Sequence, residues 1–269
     1  MAQEKWLASG PKVIDVGLVR RLKVGLVGGQ IDIVGHDEPG ARIEVHSVSG
    51  KDLKISIDGD TLEIDHPQIR WDNFLDVFKG FPSYRDSDRA DVSILVPRDV
   101  ALKFGVVSAT GLVSGLVGTA NLSTVSGDLV VDGLRGELVV NSVNGEVSVR
   151  DHEGTIAVHT VNGDVTASGE ISNFASDGVS GDVYLDIVGE PAQIRVNTVT
   201  GNVTARLAPE IATEYRINTL TGRLQLDAAE VHGVRGQYAG KYGALEGHWL
   251  EFKANTVGGS ISVLHAVSA

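Results

Sequence analysis

Apolar and polar residues alternate along much of the chain, and from about residue 105 the alternation is tied to a recurring glycine. The segments TVSGDLVV, SVNGEVSV, TVNGDVTA, GVSGDVYL, TVTGNVTA and TLTGRLQL carry Gly127, Gly145, Gly163, Gly181, Gly201 and Gly222, at spacings of 18, 18, 18, 20 and 21 residues. A weaker copy precedes them at Gly111, and a last one, TVGGSISV, follows at Gly259. Two positions after the glycine stands an apolar residue (Leu129, Val147, Val165, Val183, Val203, Leu224, Ile261), and four positions after it another (Val131, Val149, Ala167, Leu185, Ala205, Leu226, Val263). That is period two, a strand with one buried face. Two positions before the glycine the chain is apolar again: Val125, Val143, Val161, Val179, Val199, Leu220 and Val257. A second series, Gly118, Gly136 and Gly154, falls midway between the first, so the unit is two half-units of nine.

A nine-residue strand and turn cannot bury its apolar face alone, whereas stacked copies can. The pattern predicts an all-β fold, a β-solenoid with about 18 residues per coil, running as about seven coils over residues 105–227. Fixed columns favour coils over a meander of hairpins, although Asn144-Gly145 and Asn162-Gly163 would also make good hairpin turns. Residues 1–104 read as an N-terminal β-rich capping region, in which Gly29, followed by Ile31 and Ile33, echoes the repeat. Residues 105–269 read as the repeat region. Two segments break the pattern. Trp71, Phe74, Leu75 and Phe78 have the i, i+3, i+4, i+7 spacing of a short helix near 70–80. Residues 228–253 form an aromatic- and glycine-rich insertion with Tyr238, Tyr242, Trp249 and Phe252. Each reads either as a cap or as a docking element, which makes Trp71, Phe74, Phe78, Tyr238, Tyr242 and Trp249 the partner-binding candidates.

Composition narrows the function classes. With 23 Lys and Arg against 35 Asp and Glu the net charge is −12, the wrong sign for a general nucleic-acid binder or for adhesion to anionic lipid by charge. Residues 128–190 hold twelve acids and two cations, a net −10, so the excess sits on the central coils. Cysteine is absent, which removes disulfides, thiolate metal sites and thiol nucleophiles. No apolar run is long enough to span a membrane as a helix, and the start MAQEKWLASGPKVIDV has no apolar leader core, so the expected compartment is the cytoplasm.

Asp128, Glu146, Asp164 and Asp182 follow the repeat glycine directly, and stacked coils place them in one column. Such a column either recruits a cation, with calcium the fitting ion, or accepts turn N–H groups as a solvated edge. Four positions before the glycine lie Ser123, Asn141, His159, Asp177, Asn197, Asn218 and Asn255, and three before it Thr124, Ser142, Thr160, Thr198, Thr219 and Thr256. These read as ladders bonded along the stack and to the turn backbone. His152 and His159 fit no zinc spacing. Ser126-Gly127 and its copies recur in every repeat, as a nucleophile would not, and no catalytic or cofactor-binding residue is assigned.

These repeats, with the lead-in ADVSILVPRDVAL and the terminal NTVGGSISVLHA, resemble the bacterial β-strand-repeat family named after candidate adhesins, also called toastrack domains. The resemblance implies a β-solenoid without established catalysis, often found in envelope-stress and membrane-associated signalling. A lesser likeness to bactofilins implies an end-to-end filament. The expectation is a non-enzymatic scaffold or interaction protein, with a protein partner or self-association, and with peripheral membrane association and calcium binding as further options. The alternatives are a bactofilin-like filament, a surface adhesin and, in another class, a carbohydrate-active β-helix enzyme, for which short coils leave little groove.

Overall fold

The structure, a computed structural model, describes residues 4–67, 88–227, 229–231 and 236–266. All regular structure among them is β-strand. The expected helix near 70–80, with Trp71, Phe74 and Phe78, lies outside the described residues, so the helical insertion has no support. The chain divides into two compact units, residues 1–135 and 136–269.

Parallel pairing between residues one repeat apart defines a coil. In the first unit, β10 (Thr110–Ser114) lies parallel to β12 (Leu129–Asp132), with Gly111 opposite Leu129 and Val113 opposite Val131. The pairs are 18 residues apart, which establishes the solenoid and removes the hairpin meander. The register also corrects one assignment. The residue stacked on the Gly127 turn is Ala109, and Gly111 occupies the apolar position two residues on.

The N-terminal residues of this unit are partly rungs. β3 (Arg21–Leu26) and β4 (Gly28–His36) lie parallel to β9 (Ala101–Val106) and β10 on one side. On the other side they lie parallel to β7 (Thr61–Asp65) and β8 (Arg89–Pro97). The outermost positions are antiparallel: β6 (Leu53–Asp58) on β7, β1 (Glu4–Ala8) on β6, β5 (Ala41–Ser49) on β8, and β2 (Lys12–Val16) on β5. The first rung laid down by the chain is therefore an interior one.

The second unit repeats this logic. β14 (Val147–Thr160), β15 (Val165–Asp177) and β16 (Val183–Ile187) stack in parallel at offsets of 18, and β18 (Val203–Leu207) follows at 20. The last repeat, β24 (Ile261–His265), then pairs with β18 on one side and with β20 (Leu224–Leu226) on the other. On the opposite face β23 (Leu250–Thr256) lies between β17 (Gln193–Asn197) and β19 (Thr213–Thr219). The spatial order of turns is thus Gly201, Gly259, Gly222. The chain builds the outer rung first, turns back through the antiparallel strands β21 (Ala229–Val231) and β22 (Gly236–Tyr242), and fills the slot last. The 228–253 insertion is this return path up to residue 249, and its last four residues open the slot-filling strand β23.

The core follows the sequence columns. Val147, Val165, Val183, Val203, Ile261 and Leu224 are buried on one face, opposite Ile156, Phe174, Ile194, Phe252 and Tyr215. Tyr215 and Phe252 meet edge to face, with centroids 6.0 Å apart.

Candidate interaction edge

The repeat turn is built from a hydroxyl and a glycine. In the turns at Gly127, Gly145, Gly163, Gly201, Gly222 and Gly259, the glycine N–H donates to the Ser or Thr hydroxyl three residues earlier, at 2.9–3.2 Å. The Thr124 and Ser142 hydroxyls in turn donate to the carbonyls of Gly127 and Gly145, at 2.8 and 2.9 Å. These hydroxyls are buried, so the reciprocal bonds avoid the desolvation cost of an unpaired polar group. The glycine is required by closeness. A Cβ at Gly163 would lie 2.0 Å from the Gly145 carbonyl oxygen, one at Gly201 1.9 Å from that of Gly181, and one at Gly259 1.8 Å from that of Gly201.

The polar columns are engaged along the stack. Asn255 donates its amide to Asn197 at 2.7 Å, Asn218 to Asn255 at 2.6 Å, and Asn197 to the Asp177 carboxylate at 2.6 Å. Next to the glycine, the Asn162 amide donates to Asn144 at 2.8 Å and the Ser180 hydroxyl to Asn162 at 2.7 Å. In the acidic column, Asp164 accepts the backbone N–H of Asp182 at 2.7 Å, and Asp182 accepts that of Asn202 at 2.8 Å. The Tyr184 hydroxyl donates to Asp182 at 3.2 Å, and the two acids push its pKa up. The acids at Asp128, Glu146, Asp164 and Asp182 are exposed or half-exposed. Among the described residues, no three His, Asp or Glu side chains gather as a metal cradle.

The aromatic candidates that can be placed belong to the end of the second unit. Tyr238 and Tyr242 stand opposite Ile217 and Thr213 on the inward side of β22 and are half-buried. Tyr238 lies across Gly240, where an added Cβ would come 2.5 Å from its hydroxyl. Tyr242 stacks on His265 at 3.6 Å, and the Nδ1 of His265 lies 3.1 Å from Asp227. Trp249, in the loop before β23, is 42% exposed.

One column escaped assignment from sequence. In the second unit the residues two before the repeat glycine face outward, whereas Val125 in the first unit is buried. Val161, Val179, Val199, Val257 and Leu220 are between 41% and 61% exposed, and Val143 is half-buried. Backbone bonds place them on successive rungs, Asn162 N–H to Val143 O, Ser180 to Val161, Thr200 to Val179, Gly258 to Val199 and Thr221 to Val257. The result is an apolar ladder along one edge of the second unit, about 24 Å long at the inter-strand spacing of about 4.8 Å. The signal that could have found it is phase. The residues five and three before the glycine point inward, so alternation sends those four and two before it outward.

No curated protein matches the chain. Among solved structures it is similar to a candidate cell-adhesion protein from Clostridium sporogenes, at 15% identity over 95% of this chain and all of that one, with a TM-score of 0.32. It is also similar to a candidate adhesin from Bacteroides fragilis, at 13% identity over 96% and 98% of the two chains, TM-score 0.47. A candidate lipid-binding protein from Parabacteroides distasonis shares 9% identity over 96% and 95%, TM-score 0.49. The model of one family, Toastrack DUF4097, matches residues 20–244, and over that span the chain carries the glycine turns and stacked parallel rungs described above; it belongs to that family.

Proposed function

We propose that the protein is a non-enzymatic interaction scaffold, in which the stacked rungs present repeated side chains in straight columns to a protein partner. One observation carries this reading. The repeated hydroxyls are closed onto their own turn glycines and the repeated amides onto the next rung, while the repeated valines are held out to solvent. Polar groups that serve the stack are not free for chemistry, and a continuous exposed apolar strip on a soluble-faced edge marks an interaction surface. A role in membrane-associated signalling accords with a scaffold that recruits rather than transforms.

The test is affinity capture from native lysate with wild-type protein and the double variant Val179→Ser/Val199→Ser, the fold of each checked by thermal melting. Capture that disappears in the folded variant supports the reading. An unchanged capture profile overturns the assignment of the valine edge, and turnover of an oligosaccharide panel by the purified chain overturns the non-enzymatic one.

A further inference from the structure

The chemistry around the valine ladder specifies its occupant more closely, given the reading above that this edge is an interaction surface. Three features bear on it.

The first is the backbone. Along the ladder the N–H groups of Val161, Asn162, Ser180, Val199, Thr200, Val257, Gly258 and Thr221 donate to carbonyls of the adjacent rung. An extended peptide laid on this edge would find few main-chain groups to pair with, so strand addition is disfavoured. An occupant held by side chains alone satisfies its own backbone, which is the property of a helix.

The second is spacing. Apolar side chains recur at about 4.8 Å along the ladder, close to the roughly 5.4 Å at which an apolar seam recurs along an α-helix. The six positions from Val143 to Leu220 span about 24 Å, the length of about sixteen helical residues.

The third is charge. Beside the ladder, across the glycine, runs the column Glu146, Asp164, Asp182. The hydrogen bonds received by Asp164 and Asp182 come from neutral donors, namely backbone N–H groups, the Asn202 amide and the Tyr184 phenol. Their charge therefore remains available to an incoming cation. Residues 136–190 carry ten acids and a single cation, Arg150. A second copy of this chain would bring acid against acid, and an anionic membrane would be repelled in the same way. The charged column covers only part of the edge, because the equivalent positions on the outer rungs are Asn202, Ser260 and Arg223.

We infer that the edge formed by Val143, Val161, Val179, Val199, Val257 and Leu220 binds a basic amphipathic helix of about four turns from a partner protein, its apolar seam on the valines and its Lys or Arg residues toward Glu146, Asp164 and Asp182.

The experiment uses the full chain and two synthetic 18-residue peptides. Both have leucine at i, i+3/i+4 and i+7; one has lysine at the flanking positions and the other glutamate. Binding is read by fluorescence anisotropy, and helix formation by circular dichroism. The lysine peptide is expected to bind and to gain helicity, with at least tenfold weaker binding to Val179→Ser/Val199→Ser. Asp164→Asn/Asp182→Asn is expected to weaken binding and flatten its salt dependence. Hydrogen exchange on the wild-type complex, expected to slow at residues 160–200, gives a readout that needs no variant to fold. Equal binding of the glutamate peptide, unchanged binding to the serine variant, or valine-dependent flotation with phosphatidylglycerol vesicles would each overturn the inference. If the lysine peptide fails to bind while valine-dependent capture from lysate persists, the basic helix is wrong and the scaffold stands.

Discussion

At the scale of single residues, the decisive contact is between a turn glycine and the carbonyl of the rung beneath it. Gly258 and Gly259 are adjacent but differ sharply: a Cβ at Gly258 would find its nearest neighbours at 3.8 Å, whereas one at Gly259 would meet the Gly201 oxygen at 1.8 Å. Gly259→Ala is therefore expected to cost at least about 1–3 kcal/mol, the range for overpacking, and Gly258→Ala a few tenths of that; urea melts of the two variants compare them directly. The hydroxyl that closes the turn is separable in the same way. Thr256→Val keeps the shape but leaves the Gly259 N–H, now bonded at 2.9 Å, without its acceptor. A loss of about 1–3 kcal/mol follows from burying an unpaired donor; a neutral result would show that the glycine, not the hydroxyl, sets the turn. Two buried histidines add a pH dependence. Burial pushes His152 below its ordinary pKa, opposed by backbone groups of Thr155 and Gly136 and by Glu153. Burial does the same to His66, opposed by Asp88, and the Nδ1 of His66 accepts the Val27 N–H at 3.1 Å, which protonation would forfeit. With both folded-state pKa values below the unfolded value of about 6.5, the unfolded chain takes up more protons as pH falls below that value. Stability is thus expected to be full above about pH 7 and to decline toward pH 5, by at most about 1.4 kcal/mol per pH unit for each histidine. Denaturation midpoints across that range check this, and His152→Leu should make the decline shallower.

At the scale of strands, the interleaved last repeat sets what can be removed. Read along the sequence, Gly127 to Gly222 is an uninterrupted array, and a chain ending at Asp227 would keep all of it. In space, that truncation deletes β23 and β24, the rung between Gly201 and Gly222, and leaves β19 and β20 without their parallel partners. Residues 213–226 are then expected to lose hydrogen-exchange protection, and a synthetic peptide of residues 250–265 added in trans should restore it by pairing on both sides. Protection that survives truncation would show that the outer rung stacks directly on the Gly201 rung. The sequence expressed the rungs but not their order. Its period of 18 gave the parallel register, and the apolar residues two and four after each glycine gave the core, because each rung sees the same neighbours. Rung order was not legible, since near-identical repeats offer near-identical faces and the return through 228–253 can seat the last one at either site. The valine edge was half legible. Val161 reads as apolar and Thr160 as polar, yet Thr160 is the buried one, because its hydroxyl closes the turn and the phase of the strand sends the valine outward. The docking candidates Trp71, Phe74 and Phe78 fall outside the described residues, and Tyr238 and Tyr242 lie half-buried on β22.

At the scale of the whole chain, the question is whether stacked rungs stop at one molecule. A solenoid end exposes strand edges, the template on which a second chain could continue the stack. Here β1, β2, β21 and β22 each pair with a single strand among the described residues, all antiparallel to their neighbours. Three of the four carry lysine, Lys5 on β1, Lys12 on β2 and Lys241 on β22, with Lys5 and Lys241 exposed, and the fourth, β21, is only three residues long. A lysine on an edge must be desolvated if another strand docks there, which opposes addition. The net charge of −12 adds a longer-range repulsion between copies, although at physiological ionic strength it fades beyond about 8 Å. The edge lysines are therefore the shorter-range and stronger barrier. Light scattering coupled to gel filtration is expected to give a constant mass near 28.4 kDa across concentration. The triple variant Lys5→Val/Lys12→Val/Lys241→Val is expected to gain mass as concentration rises, and high salt alone should not reproduce that gain. Wild-type protein that lengthens with concentration would establish the filament instead, and would turn the antiparallel end strands from caps into joints.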